Sequence, residues 1–159
     1  MIVKDGEFAD LATPSGPMRT HMFRPAARGQ YPGIVFFSEI FQVTGPIRRT
    51  AVMLAGHGYV VAVPENYHEL EPLGAIIPYD QAGADRGNAN KIAKPVSAYD
   101  ADARAALDYL KTLPDCTGSL GAMANFGQQA AFAHPRFSRQ RHALPTPGLN
   151  RCHSQFKRF

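Results

Sequence analysis

Hydrophobic positions in the first half of the chain form two short continuous runs, separated by a stretch with helical spacing. The runs are Ile34–Phe37 and Tyr59–Val63, and turn-forming or polar residues bound each of them, as is typical of strands buried on both faces. Between them, Thr44-Gly45-Pro46 is a helix start, because proline is tolerated where its missing N–H would have no partner. This order predicts two parallel strands joined by a right-handed helical crossover.

Two glutamates directly follow the predicted strands: Glu39 after the first and Glu65 after the second. The carboxyl ends of parallel strands meet at one edge of the sheet, and open α/β sheets bind ligands along that edge. We therefore expect both carboxylates to lie where binding or chemistry takes place. On position alone, a solvated turn carboxylate is the alternative interpretation of Glu39.

The flanking segments extend this prediction. Residues 8–12 and 18–24 are strand candidates on either side of a Pro- and Gly-rich turn, which predicts an N-terminal edge hairpin. Residues 69–95 lack sustained periodicity and predict a long surface loop. A second helix is expected from Ser97, and residues 119–123 are a third candidate for a parallel strand. The predicted fold class is therefore α/β, with a mostly parallel sheet and flanking helices.

Composition narrows the class of protein. The chain has 159 residues, 45% of them hydrophobic, which is typical of a single globular domain. No apolar stretch approaches the length that crosses a bilayer, and the charged N-terminus differs from a signal peptide, so we expect a cytoplasmic protein with no membrane partner. Cys116 and Cys152 lack the spacing of a metal site or a disulfide framework, and no metal or cofactor is expected.

Charge is distributed unevenly along the chain. All 13 acidic residues lie within residues 1–115, together with 11 of the 17 basic residues, whereas residues 116–159 hold 6 basic residues and no acid. We interpret residues 124–159 as an irregular basic tail, because they show no hydrophobic period. Phenylalanines interleave with the basic residues, as in some nucleic-acid-binding segments, but the charges are scattered instead of clustered, which disfavours that function.

Three motifs resemble the dienelactone hydrolase family of α/β hydrolases: SEIF at 38–41, GHGY at 56–59 and VPENYH at 63–68. The resemblance covers about residues 8–123 and implies a partial α/β-hydrolase fold. Members of that family hydrolyse small lactones and carboxylic esters with a Cys-His-Asp triad and no metal. The resemblance therefore implies a small-molecule lactone or ester as the partner and no cofactor.

The resemblance also implies roles for individual residues. Glu39 matches the glutamate that gates the nucleophilic thiol. Ile40 matches the residue whose backbone N–H supplies half of the oxyanion hole. Arg86 is the candidate for pairing with a substrate carboxylate, because a guanidinium suits bidentate recognition of a planar anion. Tyr67 and His68 are candidates for lining the substrate pocket.

The resemblance breaks after the third strand. The family has a nucleophile elbow there, Gly-x-Cys-x-Gly-Gly, but this chain reads Gly121-Ala-Met-Ala-Asn-Phe-Gly-Gln-Gln and has no Cys, Ser or Thr in the elbow. No acid follows Asp115, so the order nucleophile, acid, histidine is not completed. Gln42 also replaces the glycine usual after EIF, which bears only on the shape of that turn.

Two explanations of the break stay open. Residues from about 124 onward could result from a frame or splice change and not be native family sequence, which makes the chain a truncated hydrolase, inactive as written. Alternatively, the chain is a non-catalytic paralogue whose basic tail binds nucleic acid or a protein partner. The loss of acids and of hydrophobic period at the same point favours the first explanation.

Overall fold

The computed structural model describes residues 1–125 and the backbone of residues 157 and 158. In chain order, the elements of this part are β1 (Val3–Thr13), β2 (Gly16–Pro25), β3 (Tyr31–Phe37), α1 (Gly45–Gly56), β4 (Val60–Pro64), α2 (Gln81–Ala93), α3 (Val96–Thr112), β5 (Cys116–Ala124) and β6 (Lys157–Arg158).

The strands form one mixed sheet in the order β1-β2-β4-β3-β5-β6. Strand β3 runs parallel to both β4 and β5, with Ile34 opposite Val61 on one side and Gly121 on the other. The hairpin β1-β2 joins the sheet through an antiparallel pairing of β2 with β4. This topology confirms the predicted α/β fold, with a parallel centre, an N-terminal edge hairpin and helices that connect the parallel strands.

Both faces of the central strands are covered. The core on the α1 side contains Phe23, Ile34, Phe36, Ile47, Ala51, Ala55, Val61 and Val63. The core on the α3 side contains Met18, Met22, Val35, Val60, Ala62, Ala106 and Leu110. Consecutive residues of a strand point to opposite faces, so a strand between two cores needs apolar side chains at every position. This explains the continuous apolar runs in β3 and β4.

The predicted surface loop at 69–95 is wrong in its second half, where α2 forms from Gln81 to Ala93. Asp80 begins this helix, since its side chain accepts a hydrogen bond from the Gly83 N–H at 2.7 Å. The buried positions of α2 are Gly83 and Gly87. Glycines carry no hydrophobic signal, and the usual periodicity is therefore missing from the sequence of this helix.

The far edge of the sheet is only partly paired in the described part of the chain. Strand β6 pairs antiparallel with Gly121 and Ala122 of β5. The rest of the predicted irregular tail, residues 126–156 and 159, lies outside the described residues, and its character stays a prediction. Among the helices of the described part, none has the length and apolar character needed to cross a bilayer.

Candidate functional site

The site lies at the carboxyl edge of the parallel strands, where β3 and β5 end side by side. Phe37 pairs with Ala124, and the Asn125 N–H donates to the Phe37 carbonyl at 3.1 Å. The chain after β3 turns through residues 38–44 into α1 and carries Glu39 and Ile40. The chain that follows β5, where the resemblance implies the family's nucleophile, therefore starts beside the loop that carries Glu39.

Glu39 is half-buried and bonded to a residue distant in sequence. The Tyr79 hydroxyl donates a hydrogen bond to Glu39 Oε1. The same hydroxyl lies 2.9 Å from Thr44 Oγ1, and the Tyr79 ring packs on Phe41 with centroids 4.4 Å apart. Burial, followed by the contact with the Glu39 carboxylate, raises the pKa of Tyr79 above its usual value. The carboxylate of Glu39 thus has a fixed hydrogen-bond donor at this edge.

Ile40 is the residue whose backbone N–H the family resemblance implies for the oxyanion hole, and this role stays a prediction. No residue in the described part accepts a hydrogen bond from this N–H. Its carbonyl side faces α2, where a Cβ added to Gly87 would lie 2.6 Å from the Ile40 carbonyl oxygen. Helix α2 therefore packs directly against the Ile40 peptide, and this contact requires glycine at position 87.

Gln42 has a backbone conformation that favours glycine, the residue that the resemblance implies at this position of the turn. Its backbone has a φ of 70°, in the left-handed region that favours glycine. The side chain is fully buried, and its Oε1 accepts the Tyr67 N–H at 3.3 Å. The conformation is thus the one that glycine would adopt, and the glutamine side chain adds a link to the segment after β4.

Glu65 does not face the site, which corrects the expectation drawn from its position after a strand. Its side chain is 1% exposed, and its two oxygens accept the Gly74 N–H at 3.0 and 2.9 Å. His21 Nε2 lies 2.8 Å from Oε1, and Arg48 donates to His21 Nδ1 at 3.0 Å. Because arginine is only a donor, His21 must donate from Nε2 to Glu65. This carboxylate anchors the loop after β4.

Asn66 connects the ends of β3 and β4. Its side-chain amide donates to the Ser38 carbonyl at 2.9 Å and lies 3.1 Å from Ser38 Oγ. Both residues are buried. A buried amide that loses such partners is costly, so this contact holds the residue before Glu39 in place. In the sequence, Asn66 is part of the motif VPENYH, but nothing there predicts its contact with Ser38.

Tyr67 and His68 are buried among other residues. Tyr67 is 3% exposed, and burial raises the pKa of its phenol. The side chain of His68 has no exposed surface, and its Nε2 lies 3.2 Å from Asp102 Oδ1 and 3.5 Å from Glu69 Oε2. Their proposed place in the lining of a substrate pocket stays a prediction.

A buried lysine lies beside these residues. Lys94 Nζ donates to the Asn66 carbonyl at 2.7 Å and to Asp102 Oδ2 at 2.5 Å, and it lies 2.8 Å from a Glu69 oxygen. Ligand atoms of His68, Glu69 and Asp102 lie within 4.8 Å of one another, close enough to hold a metal ion. The Lys94 ammonium already bonds to both carboxylates, so a metal ion would have to displace it.

Arg86 makes a bidentate pair with Glu71. Arg86 Nε donates to Glu71 Oε1 at 2.8 Å, and Nη2 bonds to Oε2. Asn90, one helical turn further along α2, also donates to Glu71 at 2.6 Å. The Arg86 side chain is 57% exposed, while that of Glu71 is 2% exposed. The pair ties α2 to the loop after β4, and recognition of a substrate carboxylate by Arg86 stays a prediction.

Sequence reasoning missed Tyr79 and Gly87. Tyr79 lies in a segment without periodicity, and only its partners in space reveal its contact with Glu39. The four-residue spacing of Gly83 and Gly87 was the one signal in the sequence that could have indicated α2, because small residues at that spacing lie on one face of a helix and let it pack closely against another segment.

The parallel centre, the crossover helix and the loop at the carboxyl edge define an α/β-hydrolase-type protein. The profile of the dienelactone hydrolase family matches residues 18–136, three quarters of the chain. The chain therefore belongs to the dienelactone hydrolase family, which confirms the resemblance drawn from its motifs. The match continues past residue 123, where the resemblance in the sequence breaks.

Two curated relatives carry the name "Putative carboxymethylenebutenolidase". The protein from Saccharomyces cerevisiae (strain ATCC 204508 / S288c) is 40% identical over 116 residues, which cover 70% of this chain and 42% of the relative. The protein from Synechocystis sp. (strain ATCC 27184 / PCC 6803 / Kazusa) is 32% identical over 95 residues, which cover 60% of this chain and 38% of the relative. This chain thus spans less than half the length of these relatives.

A crystal structure described as "Putative Dienelactone Hydrolase", from Klebsiella pneumoniae subsp. pneumoniae MGH 78578, shares the fold. It superimposes with a TM-score of 0.56 and 23% sequence identity, and the match covers 69% of this chain and 44% of that chain. At this identity, the likeness shows the α/β-hydrolase fold alone.

Proposed function

We propose that residues 1–125 carry one side of the active site of a hydrolase that cleaves small lactones and carboxylic esters. The observation that supports this proposal is that β3 and β5 end side by side, with Phe37 paired to Ala124, so that the loop carrying Glu39 and Ile40 starts next to the end of β5. The name of the two curated relatives, carboxymethylenebutenolidase, supports a lactone as the substrate class.

The chemistry assigns these groups distinct tasks. In a complete site, a thiolate after β5 attacks the carbonyl carbon, and the negative charge that develops on the carbonyl oxygen is stabilised by backbone N–H groups. The Ile40 N–H, which donates to no acceptor within residues 1–125, would be one of these donors. Glu39 would control the protonation of the thiol, because a nearby carboxylate disfavours the thiolate. When the tetrahedral intermediate collapses, the C–O bond of the ester or lactone breaks and the alcohol oxygen takes up a proton. Water then hydrolyses the thioester acyl-enzyme, which releases the acid and restores the thiol.

Substrate recognition by Arg86 would require an exchange of partners. Its guanidinium fork is bonded to Glu71, so a substrate carboxylate would have to replace Glu71 or bind the part of the guanidinium that remains exposed. A nucleic-acid-binding or protein-binding tail is the alternative function, and residues 126–156 lie outside the described residues. Binding of a single-stranded oligonucleotide that weakens steeply with salt would favour that alternative.

We infer further that the 159-residue chain by itself is inactive. Residues 121–125 include no Cys, Ser or Thr, and no acid follows Asp115. We expect hydrolysis of p-nitrophenyl acetate and of a dienelactone at the rate of the protein-free buffer. The control is Glu39→Ala, which should give the same background rate. Turnover by the parent chain that disappears in Glu39→Ala would contradict the inference of inactivity.

A thiol placed at the end of β5 tests the site itself. In a Cys152→Ser background, Ala124→Cys and Asn125→Cys each introduce a thiol beside the Glu39 loop. The rate at which iodoacetamide alkylates the introduced thiol, measured as a function of pH, reports the pKa of that thiol, because the thiolate is the nucleophile. We expect Glu39→Gln to lower that pKa by roughly half a unit, since it removes a nearby negative charge.

The matched control for this measurement is a thiol elsewhere on the same strand. Ser119 is exposed on β5, toward its other end, so a Ser119→Cys thiol should titrate identically with Glu39 or Gln at position 39. If Glu39→Gln leaves the pKa of the thiols at both 124 and 125 unchanged, Glu39 does not face the nucleophile position and the proposed function is wrong.

A further inference from the structure

We propose that Tyr79 is a positioning residue for Glu39, holding the carboxylate to the loop after β3 and away from the proton of the nucleophilic thiol. This inference rests on the proposed function, because it specifies how the gating glutamate is held. Nothing in the motifs that identify the family points to Tyr79, which lies 40 residues from Glu39 along the chain.

The hydrogen bonds at Tyr79 have a defined direction. A phenol has one proton, and an ionised carboxylate is only an acceptor, so the Tyr79 hydroxyl donates to Glu39. The Thr44 hydroxyl, 2.9 Å away, must then donate to the Tyr79 oxygen. The chain of donors from Thr44 through Tyr79 to Glu39 satisfies the phenol fully and stabilises one orientation of the carboxylate.

The backbone around Tyr79 is held at both ends. On one side, the Ile77 N–H donates to the Phe41 carbonyl at 3.2 Å, and the Tyr79 ring packs on the Phe41 ring. On the other side, Asp80 caps the first turn of α2. Hydrogen bonds therefore fix the chain on both sides of Tyr79, and they hold its hydroxyl in place next to Glu39.

The exposure of Tyr79 indicates that its polar contact matters more than its burial. The residue is 55% exposed, so its ring contributes less buried apolar surface than a core aromatic does. The raised pKa of the phenol agrees with a carboxylate neighbour, although burial is the larger cause. Removing the hydroxyl alone should therefore disturb Glu39 and leave the fold intact.

The consequence for the thiol follows from competition for one acceptor. A carboxylate oxygen that already accepts the phenol proton is a weaker acceptor for the S–H of a thiol. When the phenol is lost, the carboxylate is free to accept that proton and to stabilise the neutral thiol. Tyr79→Phe should thus raise the thiol pKa, whereas Glu39→Gln should lower it.

A double-mutant cycle tests this opposition in the thiol-bearing proteins. We expect Tyr79→Phe to slow alkylation of the thiol at 124 or 125 by about two- to fivefold at a pH near its pKa, and to have no effect once Glu39→Gln is present. Tyr109→Phe, on α3, is the control and should change neither rate. Where Glu39→Gln does lower the thiol pKa, an equal rate for Tyr79→Phe and its parent, or equal slowing with and without Glu39, would overturn the inference.

A second readout separates this inference from the proposed function. The tyrosinate absorbance of Tyr79, taken as the difference between the protein and its Tyr79→Phe variant, should titrate at lower pH in Glu39→Gln than in the parent. If the Tyr79 titration is the same in Glu39→Gln as in the parent, Tyr79 does not hold Glu39, and the inference fails independently of the thiol measurements. If the Tyr79 titration shifts, but Glu39→Gln leaves the pKa of the thiols at 124 and 125 unchanged, the contact of Tyr79 with Glu39 is supported and the proposed function is contradicted.

Discussion

Replacement of Gly87 by alanine is the sharpest test of how α2 positions the Ile40 peptide. In an exposed helix, Gly→Ala stabilises by about 1 kcal/mol, because alanine loses less backbone entropy on folding. At this site, the added Cβ would lie 2.6 Å from the Ile40 carbonyl oxygen and 2.9 Å from the Ile40 Cβ. Both distances are too short for carbon, so either α2 or the Ile40 loop has to move.

The magnitude follows from two opposing effects. Overpacking of a well-packed site costs about 1–3 kcal/mol, and the upper part of that range applies when the opposing atom belongs to the backbone. After subtraction of the gain in helix propensity, we expect a net loss of roughly 1–2 kcal/mol in the free energy of unfolding. In a chain of this size, that loss lowers Tm by roughly 2–8 °C.

Urea and thermal unfolding followed by far-UV circular dichroism measure this change. Asn88→Ala is the matched control, since Asn88 is the next residue of α2 and is exposed. It should stabilise the protein by about 0.5 kcal/mol through helix propensity alone. If Gly87→Ala raises the unfolding midpoint as Asn88→Ala does, α2 does not approach the Ile40 peptide as closely as described.

Two further predictions concern charged groups. Lys94→Met should cost roughly 3–5 kcal/mol in urea unfolding, because it leaves buried carboxylates without their cation, and Asp102→Asn in the same chain should recover part of that loss. Lys111→Met, at an exposed pair, should be near neutral, and an equal cost at both lysines would refute the role of burial. The hydrogen bond from Arg19 holds the pKa of Asp10 below 3.8, so its contribution to stability is present above that pH and is lost as the pH falls through the lower, folded-state value. Arg19→Gln should return the pKa of Asp10 toward 3.8 in an NMR titration, and an unchanged titration would contradict this assignment.

The elements that sequence reasoning predicted well are those whose side chains carry a strong local signal. Strands β3 and β4 are continuous apolar runs, and α1 begins at a marked Gly-Pro start. Helix α2 went unpredicted because the face that it buries is made of Gly83 and Gly87. A glycine packs through its lack of a side chain, and this property becomes visible only when the opposing backbone is in place.

The two glutamates that follow the strands also show a difference that only the packed structure reveals. Glu39 and Glu65 occupy equivalent places in the sequence pattern, yet one lies at the carboxyl edge and the other is buried beneath a loop. Their partners decide the difference, since Gly74 and His21 bind Glu65, whereas Tyr79 binds Glu39. Gly74 is near Glu65 in sequence, but His21 and Tyr79 lie far along the chain from the glutamates that they bind.

By itself, the sequence determined the class of fold, the family and the strand order that brings Glu39 to the carboxyl edge of the sheet, because hydrophobic period and short motifs are local properties of a chain. The tertiary structure decided which carboxylate is available there, which tyrosine holds it and which glycine admits α2 against the Ile40 peptide. Those outcomes depend on distances between segments that are far apart in sequence, and such distances exist only after the sheet and its helices have packed.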